Sequence, residues 1–199
     1  RSLLAQKKGR EAKQAFDRVY FDLPGELAPK LALGLAAEQA KDYALAIQMY
    51  VLVLATDPSY VTAAFGLARC RSALNDRTAA VAALEQVPPT SSLFTRSQVE
   101  LARILVDRDR TPPDIQELQK ASTAIEALTL EGMDRHRLAQ QVLETALHLV
   151  LSRSPISPSL PPRSNLKILG QPLQEESLRE GLEKVLRSMA HLSTGDEKI

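Results

Sequence analysis

The sequence predicts an all-α chain of stacked helix pairs, and three observations carry the prediction. Ala12, Ala46 and Ala80 recur at a spacing of 34, and Pro24 and Pro58 repeat the same step. Phe16, Tyr50 and Leu84 each follow their alanine by four residues, while Leu33-Gly34 and Leu67-Ala68 precede the second and third alanines. Elsewhere apolar residues keep three- and four-residue spacing, with no run of strand-like alternation. An L-G pair, an alanine, a large apolar residue one turn on and a closing proline form the tetratricopeptide pattern. The expected architecture is therefore a tetratricopeptide-repeat-like right-handed helical solenoid with a C-terminal capping helix.

Helices are expected near 10–21, 26–40, 43–55, 60–74, 77–86, 95–107, 114–128, 133–152 and 175–192. Segments 10–21, 43–55 and 77–86 hold the repeating alanines; only a methyl group there lets paired backbones approach, and Tyr50 and Leu84 fill the space one turn on. Segments 26–40 and 60–74 hold Leu33-Gly34 and Leu67-Ala68, and Lys41-Asp42 and Asn75-Asp76 follow them at matching places, where the chain must reverse. Pro24, Pro58 and Pro88-Pro89 close the second helices, because proline has no amide to donate and blocks continuation. In segment 95–107, Leu101-Ala102 keep the interval, but the next alanine position is Asp114, just after Thr111-Pro112-Pro113. An insertion of about two turns brings Ala121 or Ala124 into that role.

Segment 133–152 follows as a further repeat-like element. The four prolines Pro155, Pro158, Pro161 and Pro162 then predict a stiff extended connector. The last helix is amphipathic, with Leu178, Leu182, Val185, Leu186 and Met189 on one face, and is expected to cap the array. The division expected is 1–152 for repeats and repeat-like helices, 153–165 for the connector and 166–199 for the capping region of the same domain. Arg1 falls in the middle of a repeat's first helix by this register, which predicts further chain upstream.

Composition narrows the function classes. Twenty-five Lys and Arg against 24 Asp and Glu leave a net charge of +1, so no global field draws the chain to nucleic acid or an anionic membrane. No apolar run approaches the ~20 residues that cross a bilayer, and a cytoplasmic location is expected. Cys70 is the single cysteine, which excludes an internal disulfide and a four-cysteine metal site; it reads as a small buried helix residue. His136, His148 and His191 have no ligands at metal spacing, and His148, beside Leu147, Leu149 and Val150, is expected to be partly buried. No glycine-rich phosphate loop, V-A-I-K-like lysine, H-R-D loop or D-F-G occurs, and Asp134-Arg135-His136-Arg137 reads as a solvated helix face. No catalytic, cofactor-binding or metal-binding residue is expected in this chain.

The candidate site is a partner-binding groove. First helices of each pair line the concave face, and residues three, four and seven apart share a direction. That stripe reads Ala28, Leu31, Leu35 and Glu38, then Thr62, Phe65, Arg69 and Ser72, then Arg96, Val99, Arg103 and Val106. Arg69 and Arg103 stand one repeat apart and could hold an acidic segment by bidentate hydrogen bonds, with Leu31, Leu35 and Phe65 as an apolar neighbour. The competing readings are that Arg69 pairs with Glu100 or is simply solvated. The set lacks the Lys and Asn combination with which some repeats clamp a chaperone's C-terminal carboxylate.

Longer strings carry a resemblance. Phe21-Asp22-Leu23-Pro24-Gly25-Glu26-Leu27-Ala28-Pro29-Lys30-Leu31-Ala32-Leu33, Ala63-Ala64-Phe65-Gly66-Leu67-Ala68-Arg69, Val87-Pro88-Pro89-Thr90-Ser91, Ile168-Leu169-Gly170 and Leu178-Arg179-Glu180-Gly181-Leu182 resemble the C-terminal tetratricopeptide domain of the actinobacterial soluble Ser/Thr protein kinase G family. The resemblance implies a rubredoxin-like metal module and a kinase domain upstream, with ATP and Mg bound there and not here. It further implies a cytosolic regulatory domain whose partners are its own kinase domain, a second copy of itself and a forkhead-associated substrate governing glutamate and 2-oxoglutarate metabolism. It also implies one more short helix beyond Gly195-Asp196-Glu197-Lys198-Ile199. The alternative is a free-standing tetratricopeptide adaptor with no kinase attached.

Overall fold

The computed structural model describes residues 9–22, 25–108, 111–128, 132–152 and 166–195. The chain divides into two compact units, Arg1–Ser97 and Gln98–Ile199. The described part of the first unit is built from α1 (Gly9–Asp22), α2 (Leu27–Gln39), α3 (Tyr43–Thr56), α4 (Val61–Ala73) and α5 (Arg77–Glu85), and the boundary falls within α6 (Phe94–Val106). The second unit continues with α7 (Ile115–Glu126), α8 (Met133–Ser152), a hairpin of β1 (Lys167–Ile168) and β2 (Gln171–Pro172), and α9 (Glu175–Gly195). The helices agree with the predicted spans to within about two residues at most ends.

In the first unit each helix packs on the next, from α1 to α5. Ala12, Ala46 and Ala80 are fully buried, as close approach of paired helices requires, and Tyr50 and Leu84 are buried one turn on. The Tyr50 ring lies between two glycines on different helices. A Cβ built on Gly34 of α2 would stand 2.9 Å from its Cε1, and one on Gly66 of α4 would stand 2.4 Å from its Cζ. Gly34 belongs to the repeating pair. Gly66 lies two residues before Ala68, the register mate of Gly34, and serves the same ring from the other side.

The turns follow from the residues read in them. Lys41 and Asn75, one repeat apart, both take left-handed backbone with φ of 60° and 63°. The aspartate after each caps the next helix: Asp42 Oδ1 accepts from the Leu45 amide at 3.3 Å, and Asp76 Oδ1 from the Ala79 amide at 3.1 Å. Lys13 of α1 pairs with Asp42, tying a third helix to that turn. Pro58 lies in the turn after α3, and Pro24 lies outside the described residues.

In the second unit the register break at Asp114 has a local cause. Asp114 is the N-cap of α7, where its carboxylate accepts from the Glu117 amide at 2.8 Å while the Glu117 carboxylate accepts from the Asp114 amide at 2.9 Å. Ala121 and Ala124, seven and ten residues on, are both buried. The hairpin was not legible in an all-helical reading. Its turn, Leu169-Gly170, has positive φ at both positions, and Ile168 and Leu173 are buried beneath it. The Leu169 amide donates to Ser122 Oγ of α7 at 2.7 Å, which seats the hairpin. α9 packs on α8, with Leu178 fully buried and Leu186, expected on the same inner face, 44% exposed.

One histidine departs from expectation. His148 is exposed, on an outer stripe of α8 with Arg137, Gln141 and Ser152, while Leu138, Val142, Thr145 and Ala146 face inward. The proline-rich connector lies outside the described residues.

Candidate functional site

Of the five residues read as partner-binding, Leu31, Leu35, Phe65 and Arg69 lie in the first unit and Arg103 in the second. α2 presents Leu31 and Leu35, both half-buried, and α4 presents half-buried Phe65 and exposed Arg69. The Phe65 ring is covered from one side by Arg96, whose guanidinium carbon stands 5.5 Å from its centroid.

Arg69 meets Glu38 rather than Glu100. Its Nε donates to Glu38 Oε1 at 2.6 Å and its Nη2 to Oε2 at 2.9 Å, while the Tyr50 hydroxyl donates to Oε2 at 2.6 Å. Glu38 is thereby a three-donor acceptor, only 17% exposed, at the junction of α2, α3 and α4. The bond to Glu38, strengthened by its charge, holds the Arg69 guanidinium more firmly protonated than usual. Burial, followed by the Glu38 carboxylate, pushes the Tyr50 hydroxyl well above its ordinary value of 10.0. Burial likewise pushes the neighbouring Cys70 thiol up to about 12, which keeps it protonated and unreactive.

Sequence reading placed Glu38 on the stripe without giving it a partner. The signal was the offset of 31 residues between Glu38 and Arg69, one helical turn short of the repeat. Such an offset sets a side chain diagonally opposite its neighbour on the adjoining first helix. The repeat pattern asks only for a large apolar residue at position 50 and gives no signal for the partner of the Tyr50 hydroxyl.

Beside this cluster a groove of about 410 Å³ opens between the C-terminal ends of α2 and α4, above the Lys41 turn. Arg103 has surroundings of its own. Its Nη1 donates to Glu100 at 3.1 Å within α6, beside a cleft of about 420 Å³ shared with Asp107, Arg108, Gln141 and Glu144. Among the described residues no group of three or more His, Cys, Asp and Glu could hold a metal ion, and no helix is long and apolar enough to cross a membrane.

Helix pairs in a 34-residue register, small residues at their crossings and grooves lined by first helices define the class: a tetratricopeptide-type repeat domain. The chain belongs to the protein kinase G tetratricopeptide repeat family, whose model matches residues 2–198. It is 36% identical over 183 residues to serine/threonine-protein kinase PknG of Mycolicibacterium smegmatis, and equally so to PknG of Mycobacterium leprae. Each match covers 92% of this chain and 23% of the relative, within its C-terminal part. Repeat-family sequence thus fills the chain, which contains no kinase catalytic domain. Among solved structures, MamA aligns at a TM-score of 0.59 and 13% identity, covering 98% of both chains. Tetratricopeptide-like repeats of a fungal kinesin light chain, from Podospora anserina, align at 0.63 and 16%, covering 99% of this chain and 92% of that one. These two likenesses concern the fold alone.

Proposed function

We propose that this chain is the regulatory interaction domain of a cytosolic Ser/Thr protein kinase, binding its own kinase domain and a forkhead-associated substrate of glutamate and 2-oxoglutarate metabolism. The observation that carries the reading is the 36% identity to the C-terminal part of two PknG kinases across 92% of the chain. ATP and Mg belong to the kinase domain in this reading, and self-association is a further mode of regulation. The repeat portion is residues 1–152, the connector 153–165 and the capping region 166–199.

In the first unit, exposed charge beside apolar surface supports the same reading. Arg69 is about half exposed, with half-buried Leu31, Leu35 and Phe65 on the same two helices, and in the second unit Arg103, by its own cleft, is also about half exposed. Each arginine already has a carboxylate partner, so an acidic segment gains through the donors left over, not through a bare cation. The test is calorimetric titration of wild type and an Arg69→Gln, Arg103→Gln double variant with the kinase domain and with the forkhead-associated protein, at two salt concentrations. Glutamine avoids setting a second carboxylate against Glu38. The expected result is at least about a tenfold loss of affinity, partly reproduced by salt in the wild type. Unchanged affinity for both partners, with a folded variant by circular dichroism, would remove the arginines from the site.

A further inference from the structure

The groove between α2 and α4 has an uneven supply of hydrogen-bonding groups. Its carboxylate and the helix-end carbonyls around it are already occupied. Glu38 already receives three donors, from Tyr50 and Arg69. At the end of α2 the Ala36, Ala37 and Glu38 carbonyls accept from the Ala40, Asp42 and Lys41 amides. At the end of α4 the Cys70, Arg71 and Ser72 carbonyls accept from the Leu74, Asp76 and Asn75 amides. Helix C-termini usually attract cations, but here the carbonyls that would do so are closed by the turns themselves.

Donors are left over. Among the described residues the Lys41 ammonium has no partner and Arg69 uses Nε and Nη2 on Glu38, leaving Nη1; both groups can only donate, whereas the unpartnered Gln39 amide and Tyr43 hydroxyl can donate or accept. Lys41 and Arg69 against Glu38 leave one positive charge in the lining. Leu35 and Ala73 add apolar wall, and the volume of about 410 Å³ is that of a small-ligand or short-peptide pocket. The occupant must therefore bring acceptors, one negative charge and an apolar side chain.

We infer that this groove binds a peptide segment through a single carboxylate flanked by apolar side chains, the carboxylate lying between Lys41 Nζ and Arg69 Nη1. Gln39 and Tyr43 donate to the peptide's backbone carbonyls, and Leu35 and Ala73 receive the apolar neighbour. Glu38 sets the selectivity. Its charge cancels half of the lining's positive charge, so a second carboxylate beside the first meets repulsion and gains nothing. By the same charge the site gives phosphorylated and polyacidic segments no advantage over a singly charged one. This deepens the interaction-domain reading, on which it rests, and moves its centre from the apolar row toward the Lys41 turn.

The probe is a capped pentapeptide with one glutamate between two leucines, titrated into the 199-residue chain and followed by amide chemical shifts. The expected result is saturable shifts at Leu35, Gln39, Lys41, Tyr43 and Ala73, with at least about tenfold weaker binding of the glutamine analogue. Lys41→Gln removes the ammonium and should weaken the glutamate peptide to the level of the glutamine one, while leaving the glutamine peptide's affinity unchanged. Glu38→Gln should let a two-glutamate peptide gain affinity that wild type denies it. Equal binding of the glutamate and glutamine peptides, shifts mapping elsewhere, or no shifts at millimolar peptide overturns the inference. If the chain still binds the kinase domain in that case, only the groove assignment falls. If it binds neither the kinase domain nor the substrate, the interaction-domain reading falls with it.

Discussion

Tyr50 shows how much one side chain fixes in this chain. Its ring occupies the space that Gly34 and Gly66 leave, and its hydroxyl reaches past them to the carboxylate that holds Arg69. Gly66→Ala forces a methyl group to within 2.4 Å of a fully buried ring, so the ring or α4 must move. The expected cost is roughly 1–3 kcal/mol by overpacking, measured as a lowered denaturation midpoint. Gly34→Ala meets the ring edge at 2.9 Å and should cost less. The order matters more than the magnitude, because a shift of the ring away from α4 would also loosen the Tyr50 bond to Glu38. A tolerated Gly66→Ala would mean that the ring has another resting place. The sequence announced the ring position and Gly34 through the repeat. It did not announce Gly66 or the hydroxyl's partner, because each depends on a diagonal relation between helices that a one-dimensional register does not display.

At the scale of elements, the turns were the most legible features. Lys41-Asp42 and Asn75-Asp76 read as turns from residue type alone, and both are left-handed residues followed by a helix-capping aspartate. The hairpin after the proline-rich segment escaped notice because strands of two residues have no periodicity, and its clue lay only in the turn chemistry of Leu169-Gly170. Asp42 gives the turns a titration test. The hydrogen bond from Lys13, followed by that from the Leu45 amide, holds its carboxyl below the ordinary value of 3.8. A carboxyl depressed in the folded state stabilises above its unfolded value and loses that contribution as pH falls through the folded value. Asp42→Asn keeps a capping side chain and removes the charge. The variant should therefore be less stable than wild type near neutrality by no more than about 1 kcal/mol, since the pair is a third exposed, with the gap closing below pH 3.8. Urea midpoints at several pH values check this. A gap that stays constant down to pH 2 would assign the loss to the cap rather than to the ion pair.

For the whole molecule the question is how a repeat domain of this kind could act on a kinase such as its relatives. The chain spans 23% of the PknG relatives, and repeat-family sequence fills it from residue 2 to 198. The purified chain is therefore expected to transfer no phosphate from ATP, since positioning and charge stabilisation of the phosphates need parts that belong to a kinase domain. If the chain is a kinase's docking domain, as proposed, its tether raises the effective concentration of a protein substrate at the active site, to about the millimolar range for a short linker. It contributes binding that is equal in the ground and transition states, so its removal should raise KM and leave kcat nearly unchanged. Deleting residues 1–199 should then lower kcat/KM for the forkhead-associated protein by roughly tenfold or more. A short peptide carrying only the phosphorylated segment should be unaffected, having no surface for the groove to hold. Steady-state assays with both substrates separate this from a second mode of regulation, in which the domain packs on the kinase and changes its active site. That mode would shift kcat for protein and peptide alike, and such a result would move the groove's ligand from the substrate to the kinase domain itself.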